Sequence, residues 1–95
     1  MINKIKINTL KVAAELFAAP DKMPSHSYLA DTVYTVVDVA CDIRSTEEDQ
    51  VTVANIDCAI MLLHALVANA RYYTNQEIAD ILNTTATVLL GALHD

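Results

Sequence analysis

One glycine, Gly91, and two prolines, Pro20 and Pro24, leave this 95-residue chain almost without turn-forming residues. Tight hairpins need positive-φ positions that glycine supplies at no steric cost. A single glycine therefore excludes a β-sandwich full of tight turns, a glycine-rich phosphate loop and a collagen-like repeat. The length suits one domain, 1–95, with nothing left over for a second. Hydrophobic residues make up 54% of the chain, which argues against intrinsic disorder in favour of a packed core. The class left standing is all-α.

Apolar spacing divides the chain into about five helices. Lys4-Ile5-Lys6-Ile7 alternates like a strand that has no partner, so residues 1–7 read as a flexible arm or a lead-in. Asn8 or Thr9 can cap a first helix carrying Leu10, Ala13, Leu16 and Phe17, which Pro20 ends. Ser25 or Ser27 can cap a second, running to about Ile43, whose stripe is Leu29, Val33, Val36, Ala40 and Ile43. Ser45 and Glu48 have capping-box spacing, so a third helix begins there or near Thr52 and runs to about Arg71. Ile56, Ile60, Leu63, Val67 and Ala70, widened by Ala59, Leu62 and Leu66, make it apolar on most sides. Such a helix is expected at the centre, with the others packed around it. Thr74 to Glu77 is a second capping box, opening a short helix with Ile78, Ile81 and Leu82 inward. Asn83 is expected to end it, and Thr84 or Thr85 to cap a last helix with Val88, Leu89 and Leu93. The expected fold is a small orthogonal bundle with a C-terminal helix-turn-helix-like pair over 74–93.

That last segment, Thr-Asn-Gln-Glu-Ile-Ala-Asp-Ile-Leu-Asn-Thr-Thr-Ala-Thr-Val-Leu-Leu-Gly-Ala-Leu, places small Ala79 where two helices would cross. With the helix preceding it, from about Val36 to Leu93, it resembles the C-terminal DNA-binding domain of the bacterial replication initiator DnaA. Thr87-Val88-Leu89 matches the Thr-Val-Leu-like start of that family's recognition helix. The resemblance implies a helix-turn-helix fold. Its DNA contacts do not transfer: the positions of the family's Asp-His-Thr pattern are occupied by Thr84, Thr85 and Ala86. The stretch that bears arginine in the family is the acidic Ser45–Gln50. Reading bases needs Arg, Lys, Asn or Gln, and holding phosphates needs cations.

Charge is unevenly placed in a chain whose formal net charge is −6. Residues 31–57 hold seven acids and one arginine, and residues 72–95 hold three acids with no Lys or Arg. Asp31, Asp38 and Asp42 share one ridge of the second helix with Thr35. Such a ridge is either a solvated face or a negatively charged docking surface. Glu47, Glu48 and Asp49 suit the positive end of a helix dipole and extend the same acidic region.

Chemistry is sparse elsewhere. His26, His64 and His94 have no second ligand at metal-binding spacing. Asp57 and His64 lie two helical turns, about 10 Å, apart, too far to hydrogen-bond. Cys41 and Cys58 fit no secreted disulfide pattern and read as half-buried thiols. Arg71-Tyr72-Tyr73, with Tyr28 and Tyr34, either joins an interface or closes one end of the core. No cofactor, metal or small-molecule substrate is implied, and the chain reads as non-enzymatic. Met1–Ile7 is a poor signal peptide, and Ala59–Val67 is too short an apolar stretch to cross a bilayer, so a cytoplasmic protein is expected. Leu89, Leu90 and Leu93 cover more of the last helix than one buried stripe requires, which points to a homodimer. The functional expectation is an acidic helical regulator or inhibitor that binds a protein with a basic surface. Small acidic proteins of this kind resemble phage or mobile-element products. The alternative is a dimeric helix-turn-helix regulator of transcription or replication, drawing its cations from Lys4, Lys6, Lys11 and a partner subunit.

Overall fold

The computed structural model describes residues 2–94. These form α1 (Ile2–Ala18), α2 (His26–Thr46), α3 (Gln50–Asn69) and α4 (Asn75–Gly91), with a 3-10 turn over Ala70–Tyr72 between the last two. No strand occurs among the described residues.

Local sequence explains most boundaries. Ser25 caps α2, its hydroxyl accepting from the Tyr28 N–H at 3.0 Å. The expected second capping box is present. Thr74 accepts from the Glu77 N–H at 3.1 Å, and its own N–H donates to the Glu77 carboxylate at 2.8 Å. The first box is absent, because α2 runs on through Thr46 and the Ser45 hydroxyl donates back to the Asp42 carbonyl. Asp49 caps α3 instead, accepting from the Thr52 N–H at 2.9 Å and the Thr52 hydroxyl at 2.7 Å.

The expected first and last helices are both corrected. The segment expected as an arm is helical from Ile2, and Ile7 is fully buried. The stripe Ile7, Leu10, Ala14 and Phe17 repeats at three- and four-residue steps, outweighing four residues of strand-like alternation. The helices expected on either side of Asn83 are one unbroken α4, giving four helices rather than five. The left-handed turn expected at Asn83 is absent, as no described residue has positive φ. Asn in a helix interior costs only about 0.7 kcal/mol relative to Ala, while Ile78, Leu82, Ala86 and Leu89 continue one buried stripe through the site. Thr85, expected as a cap, is buried in mid-helix, its hydroxyl returning to the Ile81 and Leu82 carbonyls at 2.9 and 3.1 Å.

The helices alternate in direction around a ring, not in the orthogonal arrangement expected. α1 packs on α2 and α4, and α3 packs on the same two. Asn3, at the start of α1, shares a cleft with Thr46 at the end of α2 and Ala92 beyond α4. At the other end, Phe17 of α1 meets Leu29 of α2 and Ile78 of α4. Short connections such as Glu47–Asp49 suit this, because a brief reversal keeps consecutive helices adjacent. Ile7 and Leu10, Leu29 and Val33, Ile56 and Leu63, and Leu82 and Leu89 meet along the axis, each under 2% exposed. Burying a side chain of this size contributes about 1.5–3 kcal/mol.

A ring of four has no centre, so α3 is not the enclosed helix its composition led us to expect. Ile56, Ala59, Leu63, Leu66 and Val67 face the core. Val51, Met61 and Leu62 are 69%, 70% and 49% exposed. Gln50–Tyr72 is long and apolar enough to cross a membrane by length and composition, yet only 28% of its most apolar stretch is buried in the bundle.

Candidate functional site

Two outer surfaces stand out in their chemistry. The first is the carboxylate ridge of α2. Leu29, Val33, Val36, Val37, Val39, Ala40 and Ile43 bury the inner side of this helix. Asp31, Asp38 and Asp42 are thereby all turned outward and exposed. Thr35 on the same line is held by its hydroxyl, which donates to the Asp31 carbonyl at 2.9 Å. None of the three side-chain carboxylates is in a salt bridge or side-chain hydrogen bond among the described residues. The nearest cation in sequence, Arg44, is already engaged across the α2–α3 boundary. Its guanidinium makes a two-pronged contact with Asp57, Nη2 lying 3.2 Å from Oδ2. That pairing raises the Arg44 pKa further above its already high value, first through the hydrogen bond and then through the charge of Asp57. Sequence reasoning missed this pair, since thirteen residues separate its members and only the α2–α3 reversal brings them together.

The acids expected to extend the ridge have divided roles. Glu47 is folded into the corner, with its side chain 5% exposed. One carboxylate oxygen accepts from His94 Nε2 at 2.7 Å, and the other from the Glu48 and Asp49 N–H groups at 3.1 Å each. The His94 and Asp49 hydrogen bonds hold the Glu47 pKa below its ordinary value. Asp49 is likewise lowered, by the Thr52 hydroxyl and then the Thr52 N–H. Both carboxylates build the α2–α3 corner. Glu48 alone of the three has an exposed side chain with no bond to it among the described residues.

The leucines expected as a dimer face are displaced by the continuity of α4. Leu89 is fully buried, while Leu90 and Leu93 are half-buried against the same core. α4 lies between α1 and α3, so both its flanks are occupied. An unpartnered apolar surface lies on α3, the helix expected to be buried, while α1 also leaves Ile2, Ile5 and Val12 exposed. The second surface is accordingly its outer face, edged by Asp57 and His64 toward α2, where the Tyr34 and His64 rings lie 5.8 Å apart. Leu62 edges it toward α4, lining a groove with Ile81 and Thr84. The 3–4 repeat that locates this face was present in the sequence, but the same helix also carries the wider stripe that enters the core.

Other groups are placed as follows. Cys41 and Cys58 are both free and exposed, not half-buried as expected. Arg71 sits 4.8 Å over the Tyr72 ring, which is 70% exposed, whereas Tyr73 packs on the core. His26 Nε2 lies 3.2 Å from the Val67 carbonyl, tying α2 to the end of α3. Among the described residues no three His, Cys, Asp or Glu side chains gather to hold a metal ion. The clefts are open and small, of which the one between Asn3, Asp42, Glu47 and His94 holds about 230 Å³. No known protein family, curated protein or solved structure matches this chain.

Proposed function

We propose that the protein is a non-enzymatic, acidic helical regulator or inhibitor that binds a protein partner through the carboxylate ridge of α2. The carrying observation is that Asp31, Asp38 and Asp42 are all exposed, with Arg44, the nearest cation in sequence, committed to Asp57. The ridge spans about 16 Å at 1.5 Å per residue, on a rigid helix that is already formed. Carboxylates in such a row present a basic surface with the same sign of charge as a run of phosphates. A nucleic-acid-handling protein is therefore the partner class that fits, and its association would be steered electrostatically. DNA itself is a poorer fit, since residues 72–95 hold no Lys or Arg and α4 is unbroken at Asn83.

The test begins with the protein that co-purifies with the tagged chain. Replacing Asp31, Asp38 and Asp42 together by Asn should slow association by about 10-fold or more at low salt and flatten its salt dependence. Unchanged affinity in a pull-down titration removes the ridge from the function. Retardation of random duplex by micromolar protein at low salt would replace the protein partner with DNA.

A further inference from the structure

The outer face of α3 calls for a partner of its own. Val51, Ala54, Cys58, Met61, Ala65 and Ala68 recur at alternating steps of three and four, and every one is exposed. Tyr72, one further step along, is exposed as well. This is the spacing of a helix–helix seam. The small side chains of Ala54, Ala65 and Ala68 let a second helix approach to about 8 Å. Both edges of the seam are polar in part. Asp57, His64 and Arg71 follow one another at seven-residue intervals on the α2 side, and Asn55, Leu62 and Asn69 on the α4 side.

We propose that this face docks on the same face of a second copy as an antiparallel helix pair, with the two-fold axis between Cys58 and Met61. Charge complementarity selects both the occupant and its direction. In this register the layers join Val51 to the partner's Ala68, Ala54 to the partner's Ala65, and Cys58 to the partner's Met61. Val51 and Met61 thus meet the smaller Ala68 and Cys58, and the Ala54–Ala65 layer lets the backbones close. Like edges adjoin in an antiparallel pair, so Asp57, already paired with Arg44, lies opposite the partner's His64 and leaves the free charge of the seam to its ends. The acidic corner at Glu48 lies beside the partner's Arg71, which has no carboxylate among the described residues. A parallel pair would bring the two Glu47–Asp49 corners together and set Asp57 beside the partner's Leu62. A lipid surface is a poorer occupant, because interfacial helices carry Lys and Arg along their polar edges, and this one has Asp57, His64 and a single Arg71. The 23 residues of Gln50–Tyr72 span about 34 Å, and a strip about 10 Å wide covers roughly 350 Å² per copy. That lies below the roughly 800 Å² per partner of a standard interface, so the dimer is concentration-dependent. The pairing stands independently of the α2 ridge.

Sedimentation equilibrium of the full chain tests it directly. A monomer–dimer equilibrium with Kd of about 1–100 μM is expected. Met61→Glu should weaken it by about 30-fold or more, with unchanged helical circular dichroism. Val12→Glu, an exposed site on α1, should leave it unaltered. Arg71→Glu should weaken the dimer, and Glu48→Arg in the same chain should restore it. Orientation is read by cross-linking in chains whose native cysteines are replaced. Ala54→Cys should link to Ala65→Cys of a differently tagged copy, and Ala65→Cys should not link to itself. A chain that stays monomeric to several hundred micromolar overturns the proposal. So does self-linking of Ala65→Cys, or binding to phosphatidylcholine–phosphatidylglycerol vesicles that Met61→Glu abolishes while no dimer forms.

Discussion

α2 and α3 lie side by side, contain 21 and 20 residues, and bury one face each in the same core. Their outer faces have little in common. α2 ends its apolar stripe cleanly and turns Asp31, Asp38 and Asp42 to water. α3 keeps Val51, Cys58 and Met61 on the side away from the bundle. Composition alone ranks α3 as the more deeply buried helix. The order is reversed in the molecule, because what buries a helix face is a neighbour, and a ring of four gives each member only two. The surplus apolar surface of α3 thus marks where the bundle is unfinished, while the ridge of α2 marks where it is complete and charged.

The largest effect that sharpens this contrast lies within α3 itself. Leu63→Ala removes a fully buried side chain and should cost about 2–5 kcal/mol in urea unfolding. Met61→Ala, two residues away and 70% exposed, should change the stability of the dilute monomer by less than about 0.5 kcal/mol. Equal losses would mean that α3 is enclosed after all. Next comes helix capping. Ser25→Ala at the start of α2 should cost about 1 kcal/mol in thermal or urea unfolding. Loss of the Asp49 cap should be felt at neutral pH and vanish in acid.

The acid dependence of the α2–α3 corner follows from the lowered pKa values of Glu47 and Asp49. A carboxyl whose folded pKa is depressed contributes its stabilisation in full above its unfolded value. It loses that contribution as pH falls through the folded one. Stability should therefore decline as pH drops below about 4, the ordinary carboxylate range. The decline should be shallower in Glu47→Gln and Asp49→Asn, as followed by unfolding midpoints from pH 7 to 2. The smallest effect belongs to the ridge. Asp31→Asn, Asp38→Asn and Asp42→Asn should each leave stability within about 0.5 kcal/mol, so that a change in partner binding is read without a change in folding.

Much of the fold was legible because helix signals are local. The α2 stripe from Leu29 to Ile43, the Ser25 cap and the Thr74–Glu77 box all rest on residues within a turn or two of one another. The errors occurred where two local readings competed. Asn83 followed by two threonines resembles a turn, yet the stripe from Ile78 to Leu89 runs through it and burial prevailed. Lys4–Ile7 alternates, yet Ile7 opens the stripe that packs α1 in the ring. For the candidate site, the outward ridge was readable from spacing alone. The engagement of Glu47 with His94, 47 positions away, was not.

Sequence by itself determined that the chain is helical, where α2 lies, and that three aspartates share one line, because a turn of helix repeats every 3.6 residues wherever it is placed. Only the tertiary structure decided which carboxylates stay free, which leucines go inside and which helix is left with an uncovered face. Those outcomes depend on how many neighbours each helix acquires, and that number is set by chain reversals and packing across the ring rather than by any residue's own preference.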